Sequence, residues 1–358
     1  MNRREFLKAG GALPFLVWSK GCTNHSARTY LTSAAQDHRG QHFMVGLSSN
    51  LEETFRVPLP ERGHEVRYNP VTHHVVAFAR RPGYFFKVVD ALNHEVLHHI
   101  EPPEGRLFYG HGDFDQSGRY LYTTENDYAN QRGVIGVYDT FEGYQRIMEL
   151  DAYGVGTHEI RCDHDVLYVA NGGIATHPQH PRQKLNIPSM EPNLTLIDRL
   201  SGKRLSHHRL DDHQASVRHM DVRSGQVAVG LQHQTHKSET SPITSFFNGT
   251  SFEAQRACVS VAPSIKQYVA SVAFGLDNQV VYTAPRGNQV LVVDHHTDTL
   301  LRSISLRDVA GVAYDDSKQC YWLSCGTGVV IPLDAKSLEL GKGRSFAGLK
   351  WDNHLRKA

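Results

Sequence analysis

Arg62-Gly63-His64-Glu65-Val66-Arg67-Tyr68 decides how the chain is read, because variants of it return further along. Gly110-His111-Gly112-Asp113-Phe114-Asp115 follows, then Thr157-His158-Glu159-Ile160-Arg161-Cys162, then Arg218-His219-Met220-Asp221-Val222. Each opens a short strand with a histidine near its start. A second strand, a turn, a third strand ending near Asp and a fourth, amphipathic strand come after it. Self-similarity of this kind marks a repeat architecture, in which no unit buries its faces alone.

Working outward from the first copy, the strands read as Gly63–Asn69, His73–Arg80, Phe85–Ala91 and Glu95–Glu101. Val75, Ala77 and Ala79 alternate with Val76 and Phe78, so both faces are apolar, as sheets covered on both sides require. The order recurs as Gly110–Asp115, Tyr120–Glu125, Val134–Thr140 and Gln145–Asp151, with a turn at Asp115-Gln116-Ser117-Gly118. It recurs again as Thr157–Cys162, Val166–Ala170, Leu194–Leu200 and Leu205–Leu210. The fifth unit runs from Val217 through Gln226–Leu231, with outer strands expected near Phe252–Val261 beyond an insert over Thr235 to Gln255. Val269–Phe274 opens the sixth unit and Ala310–Asp315 the seventh.

The ends of the chain supply one further unit. Phe43–Leu47 and Glu53–Pro58 match the third and fourth strands of a repeat, Thr29–Ala34 matches a second, and no first strand precedes them. Ala347-Gly348-Leu349-Lys350-Trp351-Asp352 resembles Ala310-Gly311-Val312-Ala313-Tyr314-Asp315 and fills that place. First strands then begin near 63, 110, 157, 217, 269, 310 and 347. The fold expected is an all-β, seven-bladed β-propeller over residues 28–358, with the C-terminal strand completing the N-terminal blade and leaving no free edge. A two-sheet sandwich is the rival.

Composition narrows the function classes. The 358 residues carry 38 basic and 37 acidic side chains, which argues against a general nucleic-acid footprint. Hydrophobic residues at 40% suffice for a core. Met1-Asn2-Arg3-Arg4-Glu5-Phe6-Leu7-Lys8 and the short apolar run after it fit a twin-arginine export signal, so residues 1–27 are read as signal and linker and the protein as periplasmic. Gly21-Cys22 is a weak lipid-attachment motif, and no stretch is long enough for a transmembrane helix. The five cysteines lack metal-type spacing and are expected to be free thiols, and a monomer is expected.

Histidine is over-represented, at 23 residues. The pairs His73-His74, His98-His99, His207-His208 and His295-His296 fall on outer strands or turns and are expected to be exposed and non-ligating. His64, His111, His158 and His219 share one column of the innermost strands, which Ser271, Gly311 and Gly348 continue with small residues. Four imidazoles facing one axis suit Zn, Cu, Fe or Ni. The plainer alternative is hydrogen bonding to neighbouring backbone and channel water. Glu65, Glu159 and Asp113 are placed to orient the rings as outer partners. Over the same face come Arg80 and Arg81, able to clamp a carboxylate or phosphate; Glu125 and Asp127, oxygen donors of the kind Ca²⁺ takes; and Asn171, His177, Lys184 and His233. No nucleophile-elbow, HExxH, P-loop or dinucleotide motif occurs where it would have chemical meaning.

Thr123-Thr124-Glu125-Asn126-Asp127-Tyr128, Arg132-Gly133-Val134-Ile135-Gly136-Val137-Tyr138-Asp139 and Val169-Ala170-Asn171-Gly172-Gly173-Ile174-Ala175-Thr176-His177-Pro178, together with the histidine stretches above, resemble the domain-of-unknown-function family 1513. The resemblance implies an exported periplasmic seven-bladed propeller, often encoded beside imelysin-like proteins and a di-haem peroxidase-like protein. Three readings follow: a metal-binding protein of iron or copper handling; a scaffold docking an imelysin-like or haem partner; and a metal-dependent lactonase or oxidoreductase.

Overall fold

The computed structural model describes residues 28–358 apart from 181–182 and 235–240. Residues 1–27, read above as signal and linker, lie outside the described residues, Cys22 among them. Seven four-stranded antiparallel sheets form the blades of a β-propeller. From blade two to blade seven, each sheet takes four successive strands of the chain. Their innermost strands are Gly63–Asn69, Arg106–Phe114, Thr157–Asp163, Ala215–Arg223, Ser271–Phe274 and Val309–Asp315. Blade one is made from both ends. Its innermost strand, Lys350–Lys357, pairs with Leu31–Gln36, which continues into His42–Leu47 and Glu53–Leu59.

The strands form where their residues can cover two faces at once. In blade two, Val75, Ala77 and Ala79 face blade one, where Ala34, Met44 and Phe55 meet them. Val76 and Phe78, on the opposite face of the same strand, meet Phe108, Leu121 and Tyr138 of blade three. Period-two alternation with apolar residues in both phases therefore welds each blade to two neighbours. The core comprises seven such clusters, one at each interface between adjacent blades. The cluster joining blade seven to blade one sets Ala313, Trp322 and Val330 against Leu31, Trp351 and Leu355, so the ring is closed by apolar contact as well as by strand pairing.

Three expectations need correction. The last strand is Lys350–Lys357, three residues further on than the match to Ala310–Asp315 placed it. In blade five the third strand is Thr244–Phe247, inside the stretch read as an insert, and Phe252–Gln255 is the fourth. Val259–Val261 is a 3₁₀ turn. The paired histidines are mostly half-buried on their blades' outer parts, where His74 meets the Tyr144 hydroxyl at 3.0 Å and His295 stacks on Phe246 at 4.4 Å. Among the described cysteines, Cys162, Cys258, Cys320 and Cys325 are free thiols.

Leu355 is fully buried in the closing cluster. Leu355→Ala is expected to destabilise the protein by about 2–5 kcal/mol. Equilibrium urea unfolding checks this, and a loss below 1 kcal/mol would show that the C-terminal strand does not carry closure.

Candidate metal centre on the propeller axis

Five innermost strands in succession, those of blades one to five, each bring one histidine to the channel: His354, His64, His111, His158 and His219. All five are buried. Successive ring centroids stand 4.8, 4.8, 5.0 and 4.7 Å apart, and His219 returns to His354 at 4.9 Å. The four histidines read from the sequence are thus together, and His354 joins them in the place given to Gly348. Gly348 instead lies in the turn before the last strand, at φ +80° beside His38.

Local backbone irregularity aims these rings. Pairing with the second strand slips between Gly63 and Val66, Phe108 and Gly112, Thr157 and Glu159, and Val217 and His219. On the closing strand it slips opposite Ser33 and Ala35. A bulge adds a residue to one strand and turns side chains out of strict alternation, which is how adjacent His and Glu can both face inward. Gly110 is required here. It sits at φ +105°, and a Cβ would lie 2.9 Å from His64 Cδ2.

Carboxylates set the tautomers. His64 Nδ1–H donates to Asp352 (3.0 Å) and His111 Nδ1–H to Glu65 (3.0 Å), while His219 Nδ1 lies 3.1 Å from Glu159. Asp352 and Glu65 are held ionised and only accept, so in these two pairs Nδ1 carries the proton and Nε2 keeps its lone pair. His111 Nε2, His158 Nδ1 and both nitrogens of His354 are buried with no hydrogen-bonding partner among the described residues. Burial, acting first, lowers the pKa of all five rings, to about 4 for His64. They are neutral imidazoles at neutral pH.

Beside the rings lies a buried charged network. Arg356 Nη2 meets Glu65 Oε1 at 2.5 Å, Arg67 Nε meets the same oxygen at 3.1 Å, and Arg161 pairs with Glu159. Burial acts to raise the Glu65 carboxyl, but Arg67, Arg356 and His111 hold it well below the usual range. Glu159 is raised by burial and then by the Glu65 charge, so the pair carries its first negative charge readily and its second reluctantly. Asp113 does not reach a ring. It accepts the Cys162 backbone N–H (3.0 Å), and Arg67 Nε lies 3.7 Å away.

On the other side of the rings lies a collar of cations. Arg62 Nε donates to Asp352 (2.6 Å), the carboxylate that also holds His64. Tyr109 lies 6.5 Å from the His158 ring and carries the Arg81 guanidinium over its face at 5.4 Å. Tyr268 lies 6.5 Å from the His219 ring and carries Arg286 at 4.3 Å. Arg218 is buried, and its Nε donates to Ser216 Oγ (3.0 Å). Burial, then the neighbouring Arg81 charge, lower it to about 9. The fields of Arg218, Arg81 and Arg286 also reach Lys184, and that of Arg80 reaches His64.

The remaining residues singled out in the sequence serve the scaffold. Glu125 lies inside blade three, accepting from Thr123, Tyr138 and Arg146. Asp127 is paired with Arg106 and Arg132. Asn171 ties Thr157 to Ala152 and Asn193. His177 bridges to His180 in its loop, and the buried His233 bonds the Pro242 carbonyl at 3.0 Å. None of these reaches the histidine ring. Asp352, His354 and Arg356 were missed. A histidine followed by an arginine, His354 and Arg356 as against His64 and Arg67 or His158 and Arg161, is the signal that could have flagged the last two.

Fold and site together define a seven-bladed propeller with a histidine-ringed axis. The chain belongs to the family described as "Protein of unknown function (DUF1513)", whose profile matches residues 57–358. No curated protein matches it. Among solved structures it is similar to the Kuenenia stuttgartiensis hydrazine synthase, at 11% identity, TM-score 0.61, over 93% of this chain and 99% of that one. It is similar also to the computationally designed Ika8 protein, at 13% identity, TM-score 0.56, over 91% of this chain and 89% of that one. A third is the dihydro-heme d1 dehydrogenase NirN in complex with DHE, at 13% identity, TM-score 0.56, over 92% of this chain and 75% of that one. At these identities the likeness is one of fold. Among the described residues, no helix is long and apolar enough to cross a membrane.

The ring's neutrality has a pH signature. An unfolded histidine titrates near 6.5 and folded His64 near 4, so below pH 6.5 the unfolded chain binds more protons. Stability is then full above pH 6.5 and is lost as pH falls toward 4, by about 3 kcal/mol from His64 alone. Denaturant titrations of chelator-treated protein between pH 7.5 and 4.5 should show that decline. A flat profile would mean the rings titrate in the fold as they do in the unfolded chain.

Proposed function

We propose that the protein binds a divalent transition-metal ion on the propeller axis, through the imidazole nitrogens of its histidine ring. The observation that carries this reading is the set of buried, partnerless nitrogens on His111, His158 and His354. Leaving a buried polar atom unsatisfied costs about 1–3 kcal/mol, and several gathered at one point form a standing deficit that an ion would remove.

The donor set fits. One atom each from His111, His158, Glu159 and His219 lies within 4.8 Å of the others, and so do His64, His111 and His354. Donor atoms in a tetrahedron at a bond length of about 2.1 Å stand about 3.4 Å apart, so tips that lie within 4.8 Å would close by up to about 1.4 Å on the ion. No cysteine belongs to either group, the rings are neutral, and carboxylates fix the tautomers of His64 and His111, which favours Zn, Cu, Fe or Ni over soft thiolate-bound ions. His111 is common to both groups, so it is the ligand most worth removing. An ion held by three of these imidazoles would keep coordination positions for further ligands. The twin arginines at Arg3-Arg4 support placing this chemistry in the periplasm, with iron or copper handling as its role.

Protein purified without a histidine tag, then offered Zn, Cu and Fe separately, should retain about one equivalent of at least one of them. The His111→Ala, His158→Ala variant, shown folded by its β-sheet circular dichroism, should retain less than a tenth of that. No retained ion, or equal retention by the folded double variant, would overturn the reading.

A further inference from the structure

The collar beside the histidine ring is the largest feature of the axis that metal binding leaves unexplained. Arg62 and Arg80 come from blade two and Arg81 from the loop after them, Lys184 from blade four, Arg218 from blade five and Arg286 from blade six. Against these stands Asp352, already shared by Arg62 and His64. Among the described residues, no carboxylate lies within ion-pair distance of Arg80, Arg81, Lys184, Arg218 or Arg286. Like charges gathered at one mouth repel, and a guanidinium is costly to bury without a counter-ion. Arg218 is the sharpest case: it is only 6% exposed, and its one side-chain hydrogen bond is to a neutral hydroxyl.

Tyr109 and Tyr268 hold this arrangement in place. Each faces a ring histidine and carries an arginine over its π face, and each hydroxyl is anchored, by Thr176 (3.1 Å) and by Asn353 Nδ2 (2.8 Å). The Arg81 and Arg286 forks are therefore pre-set by aromatic faces and not by acids, which leaves their N–H donors available to a ligand. A guanidinium fork matches two oxygens of a carboxylate or phosphate.

We infer that the mouth of the channel, lined by Arg80, Arg81, Arg218 and Arg286, is a binding site for a small multivalent oxyanion, of the carboxylate or phosphate kind, next to the histidine ring. A ligand with two or three negative charges satisfies several forks at once, whereas chloride meets one. Placed there, its oxygens border the ring, so the same molecule is suited to arriving as a metal chelate. The anion site itself uses the arginines and needs no ion.

The test is therefore made on chelator-treated full-length protein, with calorimetric titration of citrate and of inorganic phosphate against a sodium chloride background of matched ionic strength. At least one anion is expected to bind at least tenfold more tightly than chloride. Arg81→Gln with Arg286→Gln, both away from the buried core, should weaken it at least tenfold, as should Arg218→Gln if that variant folds. Arg302→Gln, on an outer strand, should not. Preference for citrate points to polycarboxylates and preference for phosphate to phosphate-bearing ligands; equal affinity marks selection by charge alone. Binding no tighter than chloride, or unaltered by the Arg81/Arg286 pair, overturns the inference. A parallel aliquot of each variant is reloaded with metal and its retention measured, so loss of anion binding with metal retained is distinguishable from failure of the metal site.

Discussion

Pairing of Lys350–Lys357 with Leu31–Gln36 is the constraint on which the rest depends. A propeller blade exposes both apolar faces until its neighbours arrive, and this strand supplies the innermost contact between the first and last blades. Trp351 and Leu355 bury themselves between blades seven and one. From the same strand Asp352 orients His64, His354 completes the ring of imidazoles, and Arg356 neutralises Glu65. Ring closure and site assembly are one event. Without this strand the channel would hold two carboxylate-partnered histidines, His111 and His219, and Glu65 would lose Arg356 while keeping Arg67.

Along the axis, charge is arranged in layers. A compensated network of Glu65, Glu159, Arg67, Arg161 and Arg356 lies to one side of the neutral rings, and a collar with excess positive charge lies to the other. Nearby guanidinium groups make protonating the imidazoles harder still, as the effect of Arg218 on His158 and His219 shows. That field would oppose a bare cation entering by the collar, and it would favour a cation that arrives with anionic ligands. The two proposed sites therefore reinforce one another physically while resting on different residues.

Much of this was legible in the sequence, for identifiable reasons. The histidine-led strands and their two-phase apolar alternation gave blade number, order and most boundaries, because every blade solves the same burial problem. Four ring histidines and two of their carboxylate partners followed from the shared column. His354 escaped because its strand was aligned through Ala347–Asp352, and a bulge between Trp351 and Leu355 shifts the column by a few residues, beyond what apolar periodicity resolves. Glu125 and Asp127 looked like loop oxygens but are consumed by Arg146, Arg106 and Arg132; Arg106 and Arg146 lie about twenty residues away, and Arg132 faces Asp127 across a hairpin whose register the sequence reading did not place. The collar was seen only in part, as Arg80, Arg81 and Lys184, since Arg218 and Arg286 join it solely through tertiary structure.

The most direct measurement is anomalous diffraction at the absorption edge of the retained ion, on crystals of metal-loaded, untagged protein. A single strong peak on the propeller axis, within bonding distance of His111 Nε2 and of at least two further ring histidines, is the expected result. Peaks only at the outer histidine pairs, with nothing on the axis, would contradict it.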